Sequence, residues 1–550
     1  MGAQQAPRQN HPAGDGERIA PEALRWRCDP GMLNFHSTDE VEPIRGVVGQ
    51  DAAVEALSFG LKTRAHGQNV FVRGLSGTGR MTLIRRLLEE IQLSCPLTAD
   101  RVYVHNFTDP TRPRLITLAR GGAQPFTEAV DRLIEFIAND LEAALRSESF
   151  LARMKALETS TGAKIKQAAK PVEDVLAKDD LALVTVTTGR MTHPAVFPRV
   201  EGKPMPLEEY AAEKAKGTIT AEAYDRTVQA IQSHEELVGK LEDQVRGIML
   251  QHFETSRQVL EAEVRSVLRP LVVDITSRHG APGVSEFLTG ILKDLIDHQL
   301  ERLAQGEGSL EHYRVNPVLA HEAGQGCSIV IENAPSLSNL IGGIDRRIVQ
   351  GDVQVPDHMS IRKGALLEAD GGFLILEARD VIAEPGAWRA LVRTLRANRL
   401  EISPPEVAWA PTMALLKPDP VDVNVKVVLL GDHDLFHMLD ALDADFAHLF
   451  KVVAEFDAVI PRDEEGMQHY AAVIRRIADE DGLPAFSRDA VAALIEHGAR
   501  IAASRGKLTS RFSRIADIAR EAAFLAQEAG RVMVERSDVL ETVARTRRRA

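Results

Sequence analysis

A short apolar strand that runs into a glycine loop and then into an amphipathic helix constrains this chain more than any other feature. Residues 69–84 read NVFVRGLSGTGRMTLI: Val70–Val72 enter Gly74-Leu-Ser-Gly77-Thr78-Gly79, and the following helix carries Leu83, Ile84, Leu87, Leu88 and Ile91 on one side. In that context successive backbone N–H groups and a helix N-terminus cradle anionic phosphates. The usual pattern is GxxxxGK followed by Ser or Thr. Here Arg80 stands at the lysine position and Met81 at the hydroxyl position. Arg80 keeps a cation for the phosphates, as a planar fork rather than a compact ammonium. Met81 offers no hard oxygen to Mg²⁺. Thr82 comes one residue late, about 100° further round the helix. Gly74, Gly77, Thr78, Gly79, Arg80, Met81 and Thr82 are therefore the candidate nucleotide contacts. A glycine-rich turn without a ligand is the plain alternative.

Such a loop needs an acid at the end of a neighbouring buried strand to complete its chemistry. Gly372-Phe-Leu-Ile-Leu-Glu377-Ala378 supplies four apolar residues running into Glu377, the candidate Walker B acid. Ala378 follows where a second carboxylate would polarise the attacking water, and Asp380 lies two residues further on. Mg²⁺ then has only Glu377 or Thr82 as protein ligands. A strand-end capping acid is the bland reading of Glu377. The run Val425–Gly431 ends in Asp432, a position where many ATPases sense the γ-phosphate. Arg462 is a candidate finger towards a neighbouring subunit, and Arg511 a candidate lid arginine reaching back to the phosphates, although most surface arginines are simply solvated.

At 550 residues the chain is too long for one core. Its formal charge of −13 argues against bulk nucleic-acid binding. The basic run Arg545–Arg549 reads as a solvated helix end. Three scattered cysteines in no metal-binding spacing fit a reduced, cytoplasmic setting. No apolar stretch reaches the about 18 residues that span a bilayer, so no membrane role is expected. Residues 1–18 read as a disordered leader. Residues 19–125 alternate helix and strand, with Val102–Asn106 as a second buried strand of a parallel sheet. The block 126–311 is mainly helical, with a β-hairpin near Thr188-Gly189 and a coiled-coil-like hairpin over Leu207–Arg269 that turns at Gly217. Strands return over 312–466 at Ser328–Glu332, Gly372–Leu376 and Val423–Leu430, and 467–550 is an all-helical lid.

Several of these segments together resemble a known family. Gly49-Gln50, the NVFVxGxxGTGR loop, Tyr103-Val-His-Asn-Phe107, Tyr313-Arg-Val-Asn316, Lys363-Gly-Ala-Leu, Ala369-Asp-Gly-Gly-Phe-Leu-Ile-Leu, Trp388, Leu449-Phe-Lys-Val452 and Lys507-Leu-Thr-Ser-Arg511 look like the bacterial LonB-related type of Lon-like ATP-dependent protease. The resemblance spans roughly 19–545. It implies an AAA+ α/β fold with a substrate-handling insertion. It also implies ATP and Mg²⁺ as cofactors, unfolded or damaged proteins as substrates, and a homo-hexameric ring. The Ser–Lys peptidase domain that normally follows the lid is not found in this sequence, so a separate peptidase is a further expected partner and no proteolysis is expected from these residues alone. Met81 and Glu377-Ala378 depart from the family pattern and bear directly on hydrolysis. Three rivals stand beside this reading: a non-hydrolysing nucleotide-binding scaffold, an ATP-independent chaperone, and an enhancer-binding transcription ATPase, whose second acidic motif EADGGFLILE also resembles.

Overall fold

The structure is a computed structural model, which describes residues 25–44, 46–63, 65, 67–75, 78–91, 98–188, 191–322, 326–345, 348–349, 352–353, 355–402 and 416–549. The chain forms two compact units. One comprises Met1–Asp100, Val318–Pro356 and Ser360–Ala550, the other Arg101–Pro317 and Asp357–Met359.

The first unit is built on a five-stranded parallel sheet. Its strands in chain order are β1 (Val70–Arg73), β2 (Ile329–Glu332), β3 (Phe373–Glu377), β4 (Lys426–Gly431) and β5 (Val452–Glu455), and in space they run β5-β1-β4-β3-β2. Val70 pairs with Val428 on one side and Val452 on the other, and Phe373 pairs with Lys426 and Ile329. A parallel sheet covered on both faces demands continuous apolar strands rather than alternating ones. Val70–Val72, Phe373–Leu376 and Val427–Leu430 meet that demand and are all buried. Lys426 is the exception, and its ammonium donates to the carbonyls of Thr63 and Gln68. Helix α1 (Asp51–Lys62) and helix α2 (Arg80–Ile91) pack their apolar stripes, Leu57 and Leu61 and Leu83, Ile84 and Leu88, into the cluster over β1.

One expectation fails at this level. The strand at 102–106 does not join the central sheet: the observed strand, Asp100–Val104, belongs to a separate three-stranded sheet with Arg114–Leu118. After α2 the central sheet waits for β2, at residue 329. Apolar runs give strand propensity but not sheet membership, so the pattern alone leaves this ambiguous.

Helix α3 (His433–Leu442) follows β4, and the lid comprises α4 (Glu464–Asp481), α5 (Arg488–Ala502), α6 (Phe512–Glu528) and α7 (Arg536–Arg549). Their core gathers Tyr470, Ile474, Ile477, Leu494, Ile515 and Val539, and it also takes in Cys28 and Leu33 from the N-terminal segment. Glu496, 3% exposed, anchors that segment: it accepts from Cys28 N at 3.3 Å and pairs with Arg25 at 3.2 Å and Arg536 at 2.7 Å. Two cations and a backbone donor are what a buried carboxylate needs to stay ionised at tolerable cost. Burial pushes the Cys28 thiol up to about 11, with Glu496 and Asp29 adding to the rise, so it is a packing residue. Cys327, by contrast with the expected set of reduced thiols, is disulfide-bonded.

The second unit is dominated by helices, Ala123–Asn139, Glu148–Leu176, and the 44-residue Glu235–Arg278. The last is about 66 Å long at 1.5 Å per residue. It lies antiparallel along Glu148–Leu176. Arg153 meets Glu263, Thr161 Oγ1 lies 3.0 Å from His252 Nδ1, and Val172 shares a cluster with Leu241. The long coil therefore pairs with Glu148–Leu176, a helix that runs on through Pro171, rather than folding back on itself at Gly217. The turn at Gly217 joins two shorter helices, Leu207–Ala215 and Ala221–Ser233, the second capped by Thr220. Leu181–Thr188 and Met191–Val200 form an antiparallel hairpin whose turn, 189–190, lies outside the described residues. Among the described residues no helix is long and apolar enough to cross a membrane.

Candidate functional site

The site lies at the carboxyl end of β1. Gly74 leaves the strand against Phe456, whose Cβ sits 2.8 Å from where a Gly74 β-carbon would be, so no side chain fits there. Gly79 has φ +84, a left-handed conformation that favours glycine, and Val47 lies 3.2 Å from its would-be β-carbon. Thr78 is buried and donates its hydroxyl to Leu75 O at 2.9 Å, bracing the loop. Gly77 lies outside the described residues.

Arg80 opens α2 and donates from Nη1 to Gly431 O at 2.9 Å, reaching across to the end of β4. Partial burial lowers its pKa, and the carboxylates of Glu377 and Asp432 oppose that shift. Three of the expected residues thus form one electrostatic cluster. Glu377 ends β3 with its side chain exposed, and partial burial of the carboxyl raises its pKa, with Asp380 adding and Arg80 opposing. Ala378 is fully buried and starts the short helix Ala378–Ala383. Asp432 caps α3 by accepting from Leu435 N at 2.8 Å and pairs with Arg379 at 2.8 Å. Those contacts, the backbone one first, hold its carboxyl below the usual range. Beside it, Arg73 pairs with Glu455, whose other oxygen lies 3.3 Å from His433 Nε2.

Met81 turns away from this cluster and packs with the apolar residues over β1, while Thr82 faces a cavity. Mg²⁺ requires near-octahedral oxygen ligation. Met81 offers none, Thr82 is the sole hydroxyl of the α2 first turn, and the strand-end carboxylate Glu377 faces the Arg80 cation. The residues present do not fit a resident Mg²⁺ held by this loop. Among the described residues no group of three or more His, Cys, Asp or Glu is placed to hold a metal.

The cavity, about 250 Å³, lies between the loop and the lid. Gly46, Val47, Val48, Thr78, Gly79 and Thr82 line one side, and Val473, Arg476, Ile477, Phe512, Ser513 and Ala516 the other. Gln50 fixes the first wall: its amide exchanges two 2.9 Å hydrogen bonds with the backbone of Asp457. An apolar slot with few polar groups beside a glycine loop suits a flat heterocycle. Neither Gly46–Val48 nor Arg476 stands out in the sequence. The one signal for Arg476 is its place between Val473 and Ile477 on the apolar stripe of α4, where a cation is out of pattern. Arg462 stacks over Trp26 at 4.1 Å and bonds through its backbone to Gly506 O. Arg511 precedes α6, next to the lining residue Phe512, and its Nε is buried without a hydrogen-bond partner.

The parallel five-stranded sheet, the glycine loop on β1 and the helical lid define an AAA+ α/β fold. Residues 325–457 match the LonB-like AAA domain, 485–549 the LID domain of archaeal LonB AAA+ ATPases, and 100–133 the Lon-like LonC helical domain. An archaeal Lon protease from Thermoplasma volcanium is 23% identical over 191 residues, which cover 34% of this chain and 29% of that protein. The matches thus lean to archaeal relatives where the sequence motifs suggested the bacterial type. Among solved structures, NtrX from Brucella abortus is 17% identical, with 45% of this chain and 46% of that one covered and a TM-score of 0.27. The same protein in complex with ADP gives 16%, 52%, 62% and 0.26. An MCM homologue from Methanopyrus kandleri gives 16%, 39%, 43% and 0.16.

Proposed function

We propose that this chain is the ATP-binding, protein-remodelling module of a Lon-like protease system. It works as a ring of six copies in the cytoplasm, with unfolded or damaged proteins as its substrates and a separate peptidase as a partner. The observation that carries the reading is the junction of the β1 loop, the Arg80–Glu377–Asp432 cluster and the lid cavity in one place. In this reading the triphosphate lies along the loop N–H groups, Arg80 leaves Gly431 O for the phosphates, and the base enters the cavity. Arg462 and Arg511 are held near the lid for the roles expected of them, in a neighbouring subunit and at the phosphates respectively. Hydrolysis is slow, because no second carboxylate stands directly after Glu377 to orient or deprotonate water, a loss of roughly 10²–10⁴-fold. A non-hydrolysing scaffold is the second reading, favoured by the burial of Ala378 and the apolar packing of Met81.

Titration with a fluorescent ATP analogue tests the first reading. Binding is expected to change little on adding EDTA and to weaken strongly in Arg80→Ala. Equal affinity of the variant and the natural protein would place the nucleotide elsewhere. A steady-state ATPase assay with and without unfolded casein then separates the two readings: casein-stimulated turnover supports remodelling, and none at all supports the scaffold.

A further inference from the structure

We infer that Arg476 of the lid, together with the carbonyl of Gly46, reads the base of the bound nucleotide and selects adenine over guanine. The inference rests on the nucleotide reading above and concerns the same cavity.

Arg476 is set among apolar neighbours. Val473 is 1% exposed and Ile477 5%, and Phe512 and Ala516 line the same wall. Its nearest carboxylate, Glu480, is 3.7 Å away and well exposed, too weak a partner to explain a guanidinium placed on an apolar wall. What the guanidinium does contact is Gly46 O, to which Nη1 donates at 2.8 Å across the cavity. Both residues line the cavity. Their hydrogen bond therefore closes a donor and an acceptor on each other at the place where a base edge would lie.

Separated, the two groups present an acceptor beside a donor. Adenine presents the complement, an exocyclic amine next to a ring-nitrogen acceptor. Insertion of that edge exchanges one internal hydrogen bond for two: the amine donates to Gly46 O, and Arg476 donates to the ring nitrogen. Guanine carries O6 where adenine carries the amine. In the same pose two oxygens would face each other, and Gly46 O would be left buried without a donor, which is the kind of mismatch that discriminates strongly. Because Arg476 belongs to α4 and Gly46 precedes α1, the base bridges lid and core in place of the direct bond.

Isothermal titration of the full chain with ATP and with GTP, on the natural protein, Arg476→Ala and Arg476→Lys, tests the inference. The natural protein should favour ATP by about tenfold or more. Arg476→Ala should weaken ATP by about tenfold and bring the ratio close to one, and Arg476→Lys, which keeps a donor, should recover part of it. Thermal unfolding without nucleotide shows that each variant is folded. If the natural protein binds ATP and Arg476→Ala keeps both its affinity and its ratio, the inference is wrong and the nucleotide reading survives. If the natural protein binds neither nucleotide, both fall.

Discussion

Glu377 and Ala378 are adjacent residues with opposite fates. Glu377 ends β3 facing Arg80 at the open end of the sheet, whereas Ala378, the first residue of the helix that follows, is completely buried. A carboxylate at 378 would therefore enter a packed interior rather than join the Arg80 cluster. Ala378→Glu should lower stability by at least about 1–3 kcal/mol and should not raise ATP turnover. A variant with faster hydrolysis and an unchanged unfolding temperature would show that the 378 side chain does reach the attacking water. The loop, Arg80 and Glu377 were legible in the sequence because their chemistry is written in local spacing. Arg476 and Gly46–Val48 were not, since what joins them is a fold-level approach of residues more than four hundred apart. Met81 was legible as a missing ligand, yet its positive role, packing over β1, appears only with the core around it.

Among elements, the strands buried on both faces were the easiest to read and the connections between them the hardest. Phe373–Glu377 and Lys426–Gly431 follow from continuous apolar runs, whereas Asp100–Val104 has the same signature and joins a different sheet. That strand leads into a cluster of histidines in the second unit. His105 lies against the rings of His312 and His358, at 5.3 and 5.9 Å between centroids. Asp294 accepts from Tyr313 at 2.7 Å and lies 3.0 Å from His312 Nε2, and Asp357 also faces the group. Burial, then the neighbouring His312 and His358, lower the His105 pKa from 6.5 to about 4. The folded state thus binds this proton less tightly than the unfolded chain does, and stability is lost as the pH falls from 6.5 towards 4. Hydrogen exchange read on peptides from 101–139 and 282–317, corrected for its intrinsic pH dependence, should show protection falling across that window. His105→Phe should flatten the loss. His497 in the lid is lowered to about 4 as well, so a global unfolding curve would not distinguish the two. An unchanged profile in His105→Phe would count against His105 as the source and leave His358, also lowered by burial, as the remaining member of the cluster.

On the scale of the whole molecule, the second unit offers a long antiparallel helix pair with apolar residues left on its surface. Leu250 and Phe253 are 63% and 61% exposed and lie three residues apart on Glu235–Arg278, hence on one face. Leu151 on Glu148–Leu176 is 52% exposed. In the proposed role, the Leu250–Phe253 patch would receive apolar segments of an unfolded chain. The full protein should retain unfolded casein on a column, and Leu250→Glu with Phe253→Glu should weaken retention by about tenfold while leaving ATP affinity unchanged. Retention that ignores the double substitution would move the substrate contact off this helix.

The order of strands in the central sheet also has a consequence for how the protein is made. Val70 finds its partners at Val428 and Val452, about 360 and 380 residues later in the chain. At a synthesis rate of about 5–20 residues per second, β1 and the glycine loop emerge roughly 20–80 s before either neighbouring strand exists. Throughout that interval β1, the central strand that carries the glycine loop, has both edges open, while the residues of the second unit, which lie between, are synthesised. The expected ribosome-bound intermediate therefore carries the second unit ahead of an unformed central sheet, with β1 still unpaired.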